Sequence, residues 1–143
     1  MHVNFSENLL LDIEAETDLN IRLTRLLALI RKHLDMDVAF ISEFKDSKRI
    51  FKLVDTKRPN EIVKVGNFDP INETYCNKLA NNELDNIIPD TSKNSITRDM
   101  PVTKKLNIGA YIGVPITLSN GDIYGTFCCY NEQKDDTLNK RDL

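Results

Sequence analysis

Two apolar runs around one Asn-Gly turn constrain this chain more than any other feature. Ala110 to Leu118 and Ile123 to Tyr130 bracket Ser119-Asn120-Gly121-Asp122. Asn-Gly supplies the left-handed residues of a tight hairpin turn, so the two runs read as antiparallel neighbours. Neither run alternates cleanly between apolar and polar, so both faces of the pair need cover in the middle of a sheet. Helices must provide that cover, and the sequence contains them. Leu19, Leu23, Leu26, Leu27, Ile30 and Leu34 follow the i, i+3, i+4, i+7 spacing of a helix with one apolar face. Arg22, Arg25, Arg31 and Lys32 fall between them and stay wet, and Thr17 or Asp18 is placed to cap the first turn. Leu9, Leu10, Leu11 and Ile13 form a shorter cluster upstream, either a separate helix or an extension of the first.

The period then changes to two. Val38, Phe40 and Ser42 alternate with Ala39, Ile41 and Glu43; after the polar turn Asp46-Ser47-Lys48, Ile50, Lys52 and Val54 alternate with Phe51, Leu53 and Asp55. This is a second antiparallel hairpin. Glu61 to Val65 reads as a third short strand and Gly66 to Pro70 as a break. Asn72 to Ala80 reads as a helix with Tyr75, Leu79 and Cys76 inward, capped by Asp69 or Asn72. Ile87-Ile88 is a very short strand, residues 90–100 are a long polar connection, and Val102 to Leu106 make one helical turn behind Pro101. Strands with interposed helices in this order predict an α+β domain with a mostly antiparallel sheet.

At 143 residues the chain is long enough for one self-sufficient core and too short for two. A net charge of -3 argues against a nucleic-acid partner, whose phosphates select basic faces. No apolar run reaches the ~18 residues of a membrane span. The N-terminus lacks the basic region of a signal peptide. Three cysteines without metal-type spacing point to free thiols in a reducing cytoplasm.

No catalytic motif is visible. His2 and His33 stand far apart, and His33 at a helix end reads as a solvated or dipole-interacting side chain. Cys76 is early in its helix, where a thiol can be activated, but a buried free cysteine is more often a small hydrophobe. Cys128 and Cys129 are strand neighbours, so they face opposite ways and only one can share a side with a pocket. Glu73 and Asp90 could line a pocket wall or act as caps and turns, and Asp135-Asp136 reads as a solvated turn. Tyr75, Thr91, Tyr111 and Phe127 converge on one pocket if the second helix and the long loop cover the sheet.

These blocks resemble GAF domains. HLDMDVAFISEF (33–44) is similar to the helix-to-strand junction of that family. AYIGVPITLSNGDIYGTFCCYN (110–131) is similar to its last hairpin, with an aromatic-x-G-V-P opening and a G-x-x-Y-G-T-x-C close. DPINETYCNKL (69–79), IPDTSKN (88–94) and DTLNKRDL (136–143) resemble a bacterial subgroup that precedes GGDEF or EAL cyclic-di-GMP enzymes or a sensor kinase. The resemblance implies a GAF domain over 18–143 behind an N-terminal helical extension, 1–17. It implies a six-stranded antiparallel sheet with terminal helices on one face and a cavity on the other. That cavity is expected near Phe40, Tyr75, Cys76, Asp90, Thr91, Tyr111, Ile112 and Phe127. LNKRDL (138–143) is expected to open the helix that leads to an output domain.

The departures narrow the chemistry. Cys76 is followed by Asn77 rather than the histidine of bilin-binding relatives, no histidine falls in the cavity region to ligate haem, and the cyclic-nucleotide pattern of phosphodiesterase GAF domains is not found. The ligand is therefore left open, and metal and catalytic residues are expected to be absent. The leading expectation is a cytoplasmic sensory module that binds a small molecule, dimerises through its terminal helices, or both. One alternative is a cysteine-dependent free methionine sulfoxide reductase, although 90–100 contains no cysteine; another is a ligand-free dimerisation scaffold.

Overall fold

The computed structural model describes the backbone of residues 5–138 and the side chains from residue 17 onward. A single helix, α1 (Phe5–His33), opens the chain, so the upstream leucine cluster extends the first helix. Strands β1 (Val38–Lys45), β2 (Lys48–Thr56) and β3 (Phe68–Pro70) follow. A 3-10 turn (Ile71–Glu73) leads into α2 (Tyr75–Ala80), and β4 is Ile87–Ile88. A second 3-10 turn (Thr97–Asp99) precedes α3 (Pro101–Lys105), and β5 (Ala110–Thr117) and β6 (Ile123–Asn131) close the domain. The six strands form one sheet in the order β3-β2-β1-β6-β5-β4, antiparallel throughout. The doubly apolar β6 lies centrally, as its composition requires. The expected output helix, 138–143, lies outside the described residues from position 139 onward.

The end of α1 explains the junction after it. Asp35 takes φ 54, and the Asp35 and Met36 amides donate back to Lys32 and Arg31 carbonyls at 3.1 and 3.0 Å. This paired closure stops the helix and turns the chain into β1. Packing divides the helix differently from its apolar spacing. Leu27, Ile30 and Leu34 join Met36, Ala39, Ile112 and Cys129 under the sheet, whereas Leu19, Leu26 and Leu29 are half or more exposed. Arg31, expected to stay wet, is buried; its Nε donates to Asp55 on β2 at 2.6 Å and its guanidinium to the Met36 carbonyl at 3.0 Å.

The third strand is β3 rather than Glu61 to Val65. Asn60 Oδ1 accepts from the amides of Ile62 and Val63, folding 61–65 into a local loop instead of a ladder. Thr74 caps α2 in place of Asp69 or Asn72, its hydroxyl accepting from the Asn77 amide at 3.3 Å. The β1–β2 ladder pairs Ile41 with Leu53 and then Ser42 with Phe51, leaving Lys52 as a bulge. A bulge inverts the alternation beyond it. Phe51 and Arg49 therefore face α2, while Leu53 and Asp55 face α1. At the last hairpin, Gly121 (φ 92) occupies the left-handed position that its turn demands.

Candidate functional site

The face opposite α1 is roofed by α2 and α3. Beneath them lie Phe40 (β1), Arg49 (β2), Tyr75 and Cys76 (α2), Val102, Leu106, Ile108, Tyr111 (β5) and Tyr130 (β6). The space they leave is only about 10 Å³, room for one water at most. Tyr75 and Tyr111 close it edge-to-face at 5.1 Å between centroids, and Phe40 meets Phe51 the same way at 4.9 Å. The Tyr130 hydroxyl donates to the Leu106 carbonyl at 3.0 Å and the Tyr75 hydroxyl pairs with Thr103, tying sheet and roof together.

Arg49 is the centre of this polar core. It is 2% exposed, lies 4.0 Å from the Phe51 ring centroid, and its guanidinium pairs with the buried Asp69 carboxylate on β3. The second Asp69 oxygen takes the Lys105 ammonium from α3. On the far side of Asp69 a surface cleft of about 350 Å³ opens between Glu61, Ile62, Gly66, Asn67, Phe68 and Lys105. Asp69 and Phe51 thus stand between the cleft and the filled cavity. The apolar spacing gave no sign of Arg49 or Asp69; the signal was Arg49 two residues before Phe51, on the same strand face.

Deeper still, Ser42 Oγ lies 2.7 Å from Thr126 Oγ1 and 4.0 Å from Cys76 Sγ, while Cys128 Sγ lies 3.3 Å from Thr126 Oγ1 and 3.0 Å from the Tyr111 hydroxyl. Burial pushes the Cys76 thiol up. Hydrogen bonding with Cys128, the Arg49 charge, and the Thr126 and Ser42 hydroxyls outweigh it and bring the thiol down from 9.0 to about 6. Burial and then Cys76 itself hold Cys128 well above its ordinary value. A lowered acid adds stability that is complete above its unfolded value and lost as pH falls through its folded one. Between pH about 6 and 9, wild type should gain on Cys76→Ser by on the order of 1 kcal/mol per pH unit in urea unfolding. A gap that does not widen with pH contradicts the assignment.

The expected site divides. Phe40, Tyr75, Cys76 and Tyr111 line the cavity. Ile112 and Phe127 do not, because adjacent strand residues alternate: they pack on the α1 side. Thr91 is buried, but its hydroxyl donates to the Ile108 carbonyl at 2.6 Å, pinning the long connection. Thr97 donates to the Thr91 carbonyl, and Asn94 accepts from the Ile96 and Thr97 amides, so 90–100 is stitched down. Asp90 turns outward and accepts from the Ser92 amide at 3.0 Å; its hydrogen bonds with Ser92 are the main cause holding its carboxyl below the usual range. Among the described residues no cluster of three metal-ligating side chains is found, and no helix is long and apolar enough to cross a membrane.

The GAF domain family matches residues 18–143 of this chain. No curated protein matches it in sequence. Among solved structures, a GAF domain region from Geobacter sulfurreducens PCA superposes with a TM-score of 0.67 at 20% identity, covering 90% of this chain and 85% of that one. The blue-light absorbing form of the PixJ GAF domain from Thermosynechococcus elongatus superposes at 0.68 with 16% identity, covering 99% and 80%. The type II free methionine-R-sulfoxide reductase from Thermoplasma acidophilum reaches 0.61 at 13%, covering 86% and 80%. A light-absorbing domain and an enzyme thus share this sheet, and likenesses at such identities carry the fold alone. With the sheet order, the helix-covered faces and the matched span in agreement, the chain belongs to the GAF domain family.

Proposed function

We infer that this domain is a regulatory sensory module that pairs with a second copy through α1 and relays a change to an attached output domain, of the cyclic-di-GMP or sensor-kinase type. The observation that carries the reading is the division of α1 into two faces. Its inner face, through Leu27, Ile30 and Arg31, grips β2 and the sheet; its outer face presents Leu19, Leu26 and Leu29 to solvent at 54%, 50% and 64% exposure. Leu19, Leu26 and Leu29 are spaced by seven and three residues, as along the seam of a helix pair, with the exposed Arg22 at the intervening position. A helix fixed to the sheet on one side and to a partner on the other transmits movement of either. The filled cavity supports packing as its resting state. A small ligand fits the 350 Å³ cleft, or enters the cavity once Lys105 parts from Asp69 and α3 lifts.

Sedimentation equilibrium of the full chain tests the pairing. Wild type is expected to be a dimer, and Leu26→Asp/Leu29→Asp a folded monomer with an unchanged far-ultraviolet circular dichroism spectrum. A wild-type chain that stays monomeric at high concentration, or a double variant that still pairs, overturns the reading.

A further inference from the structure

Two sulfurs converge on one buried pair of hydroxyls beneath the roof, and the relay described above uses neither. Cys76 comes from α2 in the roof and Cys128 from the central strand β6 in the floor, and both are buried. They converge on one hydroxyl pair, Ser42 and Thr126, whose oxygens lie 2.7 Å apart. Cys76 Sγ is 4.0 Å from the first hydroxyl and Cys128 Sγ 3.3 Å from the second. Cys129 points away, into the cluster of Leu27, Met36 and Ala39 against α1.

The environment of the pair is asymmetric. Arg49 lines the same cavity, and its Nε is buried with no hydrogen-bond partner. That leaves the cation an unused donor beside the Cys76 sulfur, suited to an anion there. Cys128 instead shares a 3.0 Å hydrogen bond with the Tyr111 hydroxyl. One sulfur is set up as a nucleophile, the other as a neutral neighbour across the same hydroxyl pair.

We propose that Cys76 and Cys128 are an oxidisable dithiol that closes to an intramolecular disulfide, with a small hydroperoxide as the oxidant. The Cys76 thiolate attacks one peroxide oxygen. An S–O bond forms, the O–O bond breaks, and the departing oxygen takes a proton from solvent to leave as water or an alcohol. Cys128 then attacks the sulfenic sulfur; the S–S bond forms, the S–O bond breaks, and hydroxide leaves with the Cys128 proton as water. Two electrons pass from the two sulfurs to the peroxide, and no other reactant is consumed. The new bond joins α2 to β6, so oxidation locks the cavity's roof to its floor. Both sulfurs are buried, so the reaction waits for α2 to lift and runs more slowly than at an exposed thiol.

The test uses the full chain. It is treated with hydrogen peroxide under native conditions, its remaining thiols are alkylated in denaturant, and intact mass and peptide maps are read. Of the three free thiols, two should be lost together and one alkylated, with a linked peptide containing Cys76 and Cys128; reduction should restore all three. Cys129→Ser should leave the link in place. Three alkylated thiols after exposure, a link through Cys129, a link between chains, or a sulfinic acid at Cys76 without a link each overturn the proposal. The wild-type map decides by itself, so a variant that fails to fold leaves no gap. The dithiol does not depend on pairing through α1, and sedimentation and mapping succeed or fail separately.

Discussion

Asp69→Ala is expected to destabilise the domain by about 3–5 kcal/mol, because it strands a buried guanidinium. The Arg49 and Asp69 side chains are 2% and 7% exposed, so neither charge can recover water when its partner is removed. The Phe51 ring at 4.0 Å offers some compensation to the cation but cannot replace a carboxylate. Lys105 is the contrast within the same cluster. Its side chain is 50% exposed, and Lys105→Ala should cost under about 1 kcal/mol, since the ammonium exchanges Asp69 for solvent cheaply. Arg49→Met/Asp69→Leu removes both buried charges and should recover much of the loss of the single variant. Urea midpoints give all three. A loss for Asp69→Ala no greater than that for Lys105→Ala would show that Arg49 reaches solvent or another partner. The Cys76 titration is an independent readout. It should move upward in Arg49→Met, which takes away the charge that helps hold the thiol down.

The fold was legible where a physical rule acts locally. The Asn-Gly turn set the last hairpin, the doubly apolar β6 required a central place, and Pro101 started α3. Phe40, Tyr75, Cys76 and Tyr111, which line the filled cavity, were expected there from the resemblance to GAF domains rather than from their period alone. The misplacements share one cause, which is that side-chain direction is decided by pairing. Lys52 bulges from β2, and so Arg49 and Phe51 face opposite to Leu53 and Asp55 despite even spacing in sequence. Ile112 and Phe127 fell on the wrong face because neighbours on one strand cannot both line one cavity. Arg31 and Arg49 look solvent-bound in isolation. They are buried because Asp55 and Asp69, 24 and 20 residues distant, come round to meet them. Spacing along one strand can place Arg49 on the face of Phe51, but it does not name a partner that far away.

Gly125→Ala should be the second severe lesion, costing about 3 kcal/mol or more through backbone collision. Gly125 lies opposite Glu43 where β6 meets β1, the central pair of the sheet. A Cβ there would stand 1.8 Å from the Ser42 carbonyl oxygen and 2.6 Å from its carbon. Both are main-chain atoms of a paired strand, so no rotamer change relieves the contact and the strands must separate. The damage should not stay local. Ser42 and Thr126 flank the collision, and their hydroxyls, 2.7 Å apart, hold the floor under Cys76 and Cys128. The run G-x-x-Y-G-T-x-C that closes this hairpin therefore has a physical reading. Gly121 turns the chain, Gly125 admits the neighbouring backbone, Thr126 buries a satisfied hydroxyl, and Cys128 packs in the core beneath α2 against Tyr111. Urea unfolding of Gly125→Ala, with amide exchange across β1 and β6, measures the effect. A loss below about 1 kcal/mol would mean that the two strands slide apart at little cost, and that the close approach is not what fixes the cavity floor.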